Sequence, residues 1–380
     1  MPPVPLPDPS TQYHEGAAFE LYPDVAPNPT AGKPGNLKFT QADREIEAQP
    51  NGRLKHCAQY TVPPHAQYPS HRITLRKGLS VGLSHLRFAQ VWMVECEGRI
   101  MVARFYDPLY VSDDTGAYDI FRQSNERVGT EVAAYTALTK LQGTLVPRFV
   151  GYFLAMVPAL GLEDHFPPRS AQVVLLEFLP GDTLRALGPG PHDGQEEDEN
   201  EDWNPKWNTR FTFVCDEHKN AILDAVLLAN HLLILRGIQH SDLMDRNVLL
   251  KETPPSSSAF CSSPECALQH SLSTESLIQK LESQSDGQPV DYSKLTPQQI
   301  DSLPIAVIDF GSVRLVEYEV KRLSKSLNAL SKRYGAGRDH TLTAKHFENA
   351  SRPDSVSWKD KFYESWRWSK WLPSTHDYLS

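Results

Sequence analysis

The sequence predicts an α+β protein, with a strand-rich half followed by a half built around helices. Three observations carry this. Between residues 72 and 176 apolar residues alternate or cluster in short runs bounded by turn residues, as in antiparallel strands. A single helical repeat, residues 125–141, interrupts those runs. The longest apolar pattern of 3.6-residue period lies beyond them, at residues 217–236.

Composition narrows the function classes. A chain of 380 residues with 40% hydrophobic and 22% charged residues can bury a sizeable core. A net charge of −9 argues against a general nucleic-acid binder. No apolar run is long enough to span a bilayer, and Met1-Pro-Pro-Val-Pro is not a secretory leader. The five scattered cysteines (Cys57, Cys96, Cys215, Cys261, Cys266) are not a disulfide framework. An intracellular location, cytoplasmic or nuclear, is expected.

The elements follow in order. Residues 1–71 are proline-rich and aperiodic, so they are read as an arm, with compact structure beginning near Arg72. Residues 73–81, 89–96 and 99–106 form a meander, its second turn made by Glu97-Gly98. The helix at 125–141 places Val128, Val132, Tyr135 and Leu138 on one face, with Gly143 as a stop. Residues 147–153 and 171–178 add two strands. Pro180-Gly181 then turns into a short helix. In helix 217–236, Ile222, Val226, Ala229 and Leu233 share a face, and Gly237 follows its end. Residues 305–308 are a short apolar strand. The expected organisation is an arm (1–71), a strand-rich lobe (72–176) and a mainly helical lobe (177–380). The last carries low-complexity insertions at about 190–205, where six of residues 196–202 are acidic, and at 251–288, with ten serines.

Three short pieces carry chemistry. Asp242 and Asn247 lie five residues apart on a loop after the long helix. Asp309 ends the apolar strand and precedes Phe310-Gly311. Arg104 sits on a strand and Glu131 on the helix that follows. Phosphoryl transfer needs this set. A loop carboxylate, Asp242, orients the attacking hydroxyl. An amide and a carboxylate, Asn247 and Asp309, offer the hard oxygens Mg²⁺ takes. A strand cation, Arg104, meets phosphate and is held by Glu131. Positioning and charge neutralisation supply most of such catalysis.

His240-Ser-Asp242-Leu-Met-Asp-Arg-Asn247, followed by Ile308-Asp309-Phe-Gly311, resembles the catalytic and metal loops of the protein-kinase-like superfamily. The nearer resemblance is to its aminoglycoside and choline phosphotransferase branch, and to fungal kinase-like proteins with Tyr-Asp-Pro after the third strand, here Tyr106-Asp107-Pro108. Thr130-Glu131-Val-Ala-Ala-Tyr135, Val146-Pro-Arg-Phe-Val-Gly151 and Leu176-Glu-Phe-Leu-Pro-Gly181 match that style. The resemblance implies a two-lobed fold: an antiparallel-sheet lobe with one helix, a mainly helical second lobe, and ATP with Mg²⁺ in the cleft. It further implies that backbone groups of Glu177, Phe178 and Leu179 meet the adenine. The implied reaction is transfer of the γ-phosphoryl group to a hydroxyl, of a small molecule or of a protein.

The sequence departs from the pattern in places. Arg104 stands where Lys is usual, and Arg and Lys are not interchangeable at a phosphate. The candidate phosphate loop, residues 78–84, has only Gly78 and Gly82. Met244 replaces the usual Lys or His, and no Ala-Pro-Glu follows Asp309. A pseudokinase that binds nucleotide or scaffolds without turnover is therefore the first alternative, and a Ser/Thr protein kinase the second. His240 is read as a structural group bonding nearby backbone, and Asp245 and Arg246 as solvent-facing or loop-bracing. Cys261, Cys266 and His270 are too irregular for a zinc site. The aromatics of the tail, Trp358 to Trp371, are read as packing onto the second lobe.

Overall fold

A computed structural model describes residues 8–27, 40–47, 49, 51–81, 89–111, 119–159, 167–184, 216–251 and 294–315. The chain is a mixed α/β protein that divides into two compact units, residues 1–135 with 148–178, and residues 136–147 with 179–380. The acidic run at 196–202, the serine-rich stretch from 252, the Cys261/Cys266/His270 group and the tryptophan-rich tail lie outside the described residues. So does the phosphate-loop candidate from residue 82 onward.

The first unit is a closed antiparallel barrel of six strands. These are β1 (Ala18–Pro23), β2 (His71–Ser80), β3 (Gln90–Cys96), β4 (Arg99–Tyr106), β5 (Phe149–Val157) and β6 (Arg169–Glu177). Their order is β1-β2-β3-β4-β6-β5. The five strands expected from the sequence do not include β1, which lies in the proline-rich stretch read as an arm. β1 closes the barrel by pairing Phe19 with Ile73 on one side and Tyr22 with Leu154 on the other. Closure leaves the sheet no edge. Two helices, α1 (Gln41–Glu47) and α2 (Gly52–Gln59), also come from residues expected to be irregular. Leu54, Cys57 and Ala58 are the buried apolar residues of α2.

Alternation drives the packing. On β3, Gln90, Trp92, Val94 and Cys96 are buried while the residues between them are not. Trp92, Val94 and Cys96 form one core with Leu21, Ile73, Leu75, Phe105, Val173 and Leu175. The helix α3 (Ile120–Ala137) begins and ends about four residues earlier than its apolar spacing predicts, because Asp119 caps its start by accepting the Phe121 and Arg122 amides.

A buried polar network joins the N-terminal residues to the barrel. Asp107 accepts from Arg169 through both Nε and Nη2, the latter at 2.7 Å, from the Tyr13 hydroxyl at 2.9 Å and from the Leu109 amide at 3.0 Å. Arg169 also donates to the Pro158 carbonyl and to Gln12. Both members of the ion pair are fully buried. So many partners offset much of the desolvation that burying two charges costs. Burial, with Asp107 beside them, pushes the Tyr13 and Tyr110 hydroxyls well above the usual tyrosine range. The Asp of Tyr106-Asp107-Pro108 is thus the anchor of this network.

The second unit holds, among the described residues, α4 (Asp216–Leu235), α5 (Pro297–Asp301) and five short strands. The strands are β7 (Gly181–Thr183), β8 (Ile238–His240), β9 (Val248–Lys251), β10 (Ile305–Val307) and β11 (Val313–Leu315). β9 lies between β7 and β10, and β8 pairs with β11. Gly181 is required where it stands: its φ is +137°, and a Cβ would meet the Leu250 carbonyl oxygen at 2.1 Å. Among the described residues, no helix is long and apolar enough to cross a membrane.

Candidate functional site

Strand pairing builds the site in the second unit. β9 begins where β10 ends, with Val248 opposite Val307, and β8 ends where β11 begins, with His240 opposite Val313. The loops 241–247 and 308–312 therefore leave the same end of these strands. The Ile308 amide donates to the Asn247 carbonyl at 2.9 Å, making the residue before Asp309 a direct neighbour of Asn247.

His240 pins the two loops together. Its Nε2 lies 3.2 Å from the Ile308 carbonyl, and its Nδ1 accepts the Asp242 amide at 3.3 Å. These bonds define a neutral ring with the proton on Nε2. Its ring meets Phe310 edge to face, 5.2 Å between centroids. Burial holds the His240 pKa below its ordinary value, against the opposing pull of the Ile308 carbonyl and the Asp309 and Asp242 carboxylates.

Asn247 is buried and its amide is oriented. Nδ2 donates to the Asp242 carbonyl at 2.7 Å and to Asp242 Oδ2 at 2.9 Å. With both donations made by nitrogen, Oδ1 is the group's remaining acceptor. Asp309 has left-handed backbone, φ 64° and ψ 71°, and its carboxylate accepts the Gly311 amide at 3.4 Å. An aspartate tolerates that region better than most residues, at a cost of about 1 kcal/mol. An amide oxygen and carboxylate oxygens on adjoining loops are the hard donors Mg²⁺ takes, so the residues present suit that ion.

Asp242 is half-buried and firmly held. Arg246 Nη2 donates to both its carboxylate oxygens, at 2.7 Å each. The sequence leads one to expect Arg246 to face solvent or brace the loop. It braces the carboxylate itself, and its signal in the sequence was the opposite charge four residues after Asp242.

In the first unit, Arg104 and Glu131 meet with Nη1 to Oε1 at 3.1 Å, both buried. The Tyr106 hydroxyl donates to the other oxygen of Glu131, and the Arg104 guanidinium lies 5.8 Å from the Tyr106 ring centroid. Tyr106 is a partner that sequence spacing did not reveal. Glu177 ends β6: its amide donates to the Arg148 carbonyl at 2.9 Å, and its carboxylate accepts the Arg148 amide at 3.0 Å. Phe178 is half-buried beside it, and Leu179, also half-buried, opens the second unit's run into β7.

No protein-family profile matches the chain. No curated protein matches it. Among solved structures, the crystal structure of the BubR1 kinase domain is similar at 10% sequence identity and a TM-score of 0.34. The match covers 67% of this chain and 50% of that one, so the chain spans about half the length of that structure. A likeness at this level carries no weight for fold or activity, which rest on the residues above.

Proposed function

We propose that the protein is a kinase-like phosphotransferase that uses ATP and Mg²⁺ and transfers the γ-phosphoryl group to a hydroxyl of a small molecule. The observation that supports this best is the orientation of Asn247: both amide donations go to Asp242, leaving Oδ1 as the acceptor, while the Asn247 backbone carbonyl accepts from Ile308 of the Asp309 loop. Asn247 and Asp309 would hold the metal. When bound, Mg²⁺ neutralises phosphate charge. Asp242 has both oxygens fixed by Arg246 and Asn247, and in this reading accepts the hydrogen bond of the acceptor hydroxyl and orients it. Arg104, steadied by Glu131, is assigned the phosphate-contacting cation, and the backbone of Glu177 to Leu179 the adenine contact.

One observation favours a second reading, a pseudokinase. Arg246 spans the whole carboxylate edge of Asp242, and a carboxylate so engaged has fewer lone pairs for an acceptor. The experiment is ATP consumption by the full chain with Mg²⁺ across a panel of hydroxylated small molecules. Turnover in the wild type, with nearly all of it lost in Asp242→Asn and ATP affinity retained, supports the phosphotransferase. Stabilisation by ATP and Mg²⁺ without consumption supports the pseudokinase. Phosphorylation of a generic serine peptide would replace the small-molecule acceptor by a protein.

A further inference from the structure

We propose that His71, Cys96 and Glu97 form a zinc-binding site in the barrel, separate from the loops described above. One ligand-capable atom from each lies within 4.8 Å of the other two. The three come from different elements: His71 opens β2, Cys96 closes β3, and Glu97 is the first residue of the turn into β4. The pairing of Ile73 with Cys96 brings the start of β2 to the end of β3.

The donor set selects the ion. A thiolate, an imidazole and a carboxylate together suit borderline-soft Zn²⁺, and disfavour Mg²⁺ or Ca²⁺, which take oxygen. Ligand atoms around a tetrahedral zinc stand about 3.3–3.6 Å apart, so side-chain rotation within the observed spacing suffices. His71 Nδ1 and Glu97 Oε1 are already 2.9 Å apart. The His71 ring packs edge to face with Phe153, 5.4 Å between centroids.

Access and charge fit as well. Cys96 is buried, while the Glu97 side chain is 67% exposed and His71 27%, so an ion enters from the carboxylate side. His71 and Glu97 line a concavity of about 530 Å³ into which Glu20 and Glu95 also face, with Arg72 as the guanidinium on its wall. Glu95 is paired with Arg76, which leaves Glu20 and Glu97 against Arg72, a balance that favours a cation. Glu97 also holds φ 52° in a two-residue turn with Gly98 at φ 76°, where Asn or Gly is the usual first residue. Local backbone preference therefore does not explain a glutamate there; its carboxylate is held toward His71 instead.

Three protein ligands leave a fourth position for water.

The test uses the full chain, reduced and stripped with a chelator, titrated with Co²⁺ and then with Zn²⁺. The expected result is a thiolate-to-cobalt charge-transfer absorption that saturates at one equivalent and is displaced by zinc. Cys96→Ser should abolish that absorption, and His71→Ala should weaken zinc binding by about tenfold or more. Glu97→Gly is the folding control: glycine suits the left-handed turn, so the apo barrel keeps its melting temperature while zinc affinity falls by a similar factor. The proposal is overturned if the wild type shows no such absorption. It is equally overturned if absorption and zinc affinity are unchanged in Cys96→Ser and Glu97→Gly.

Discussion

Arg246 bridges both carboxylate oxygens of Asp242 through one guanidinium nitrogen, at 2.7 Å to each, while Asn247 adds a third bond to Oδ2. A carboxylate offers about four lone-pair positions, so three are in use and one remains, the position an acceptor hydroxyl takes in the proposed function. The clamp fixes the direction of that last position.

Arg246→Ala should therefore separate activity from stability. The pair is partly exposed, so its loss should change unfolding free energy by no more than about 1 kcal/mol. Turnover should fall by about 10- to 100-fold, because Asp242 loses its orientation. Steady-state kinetics beside urea unfolding checks this, and a variant of unchanged kcat would show the clamp to be idle.

The Asp107–Arg169 network should behave in the opposite way. Asp107→Ala leaves a fully buried guanidinium without its counter-charge, which costs about 3–5 kcal/mol. Chemical denaturation should register that loss. A decrease below 1 kcal/mol would mean water reaches Arg169.

Glu131→Gln should also destabilise, since it removes a fully buried counter-charge of Arg104 and an acceptor of the Tyr106 hydroxyl. A loss of several kcal/mol is expected from breaking a buried ion pair. The double variant Arg104→Met/Glu131→Gln should recover part of it, which a double-mutant cycle measures.

Stability should also fall in mild acid through His240. Its folded pKa lies below its ordinary value of 6.5, so the unfolded chain binds the extra proton first. The stabilising contribution is complete above 6.5 and is lost as pH falls from there through the lowered folded value. Protonation at Nδ1 would oppose the bond from the Asp242 amide. Denaturation midpoints of the wild type and His240→Gln should converge between pH 7 and 5; parallel curves would assign the acid sensitivity elsewhere.

Much of the candidate site was legible because its spacing is local. Asp242 and Asn247 share one loop, and Asp309 follows an apolar strand, so a linear reading finds them. The barrel's closure was not legible. β1 has six residues in a proline-rich stretch, and its place is decided by partners at Ile73 and Leu154, far along the chain. Arg169 gave no signal either, since its carboxylate lies 62 residues away and only β4 and β6 pairing brings them together. Tyr106 was visible as part of a motif, but its bond to Glu131 depends on how α3 lies against β4.

In the proposed function Asn247 and Asp309 hold the metal of a bound nucleotide. Calorimetric titration of ATP into the full chain, with Mg²⁺ and again with EDTA, and repeated on Asp309→Asn, measures this. Binding strengthened by Mg²⁺ in the wild type, with that enhancement lost in the variant, is expected. ATP binding indifferent to Mg²⁺, or enhanced equally in both proteins, would show that these residues hold no metal.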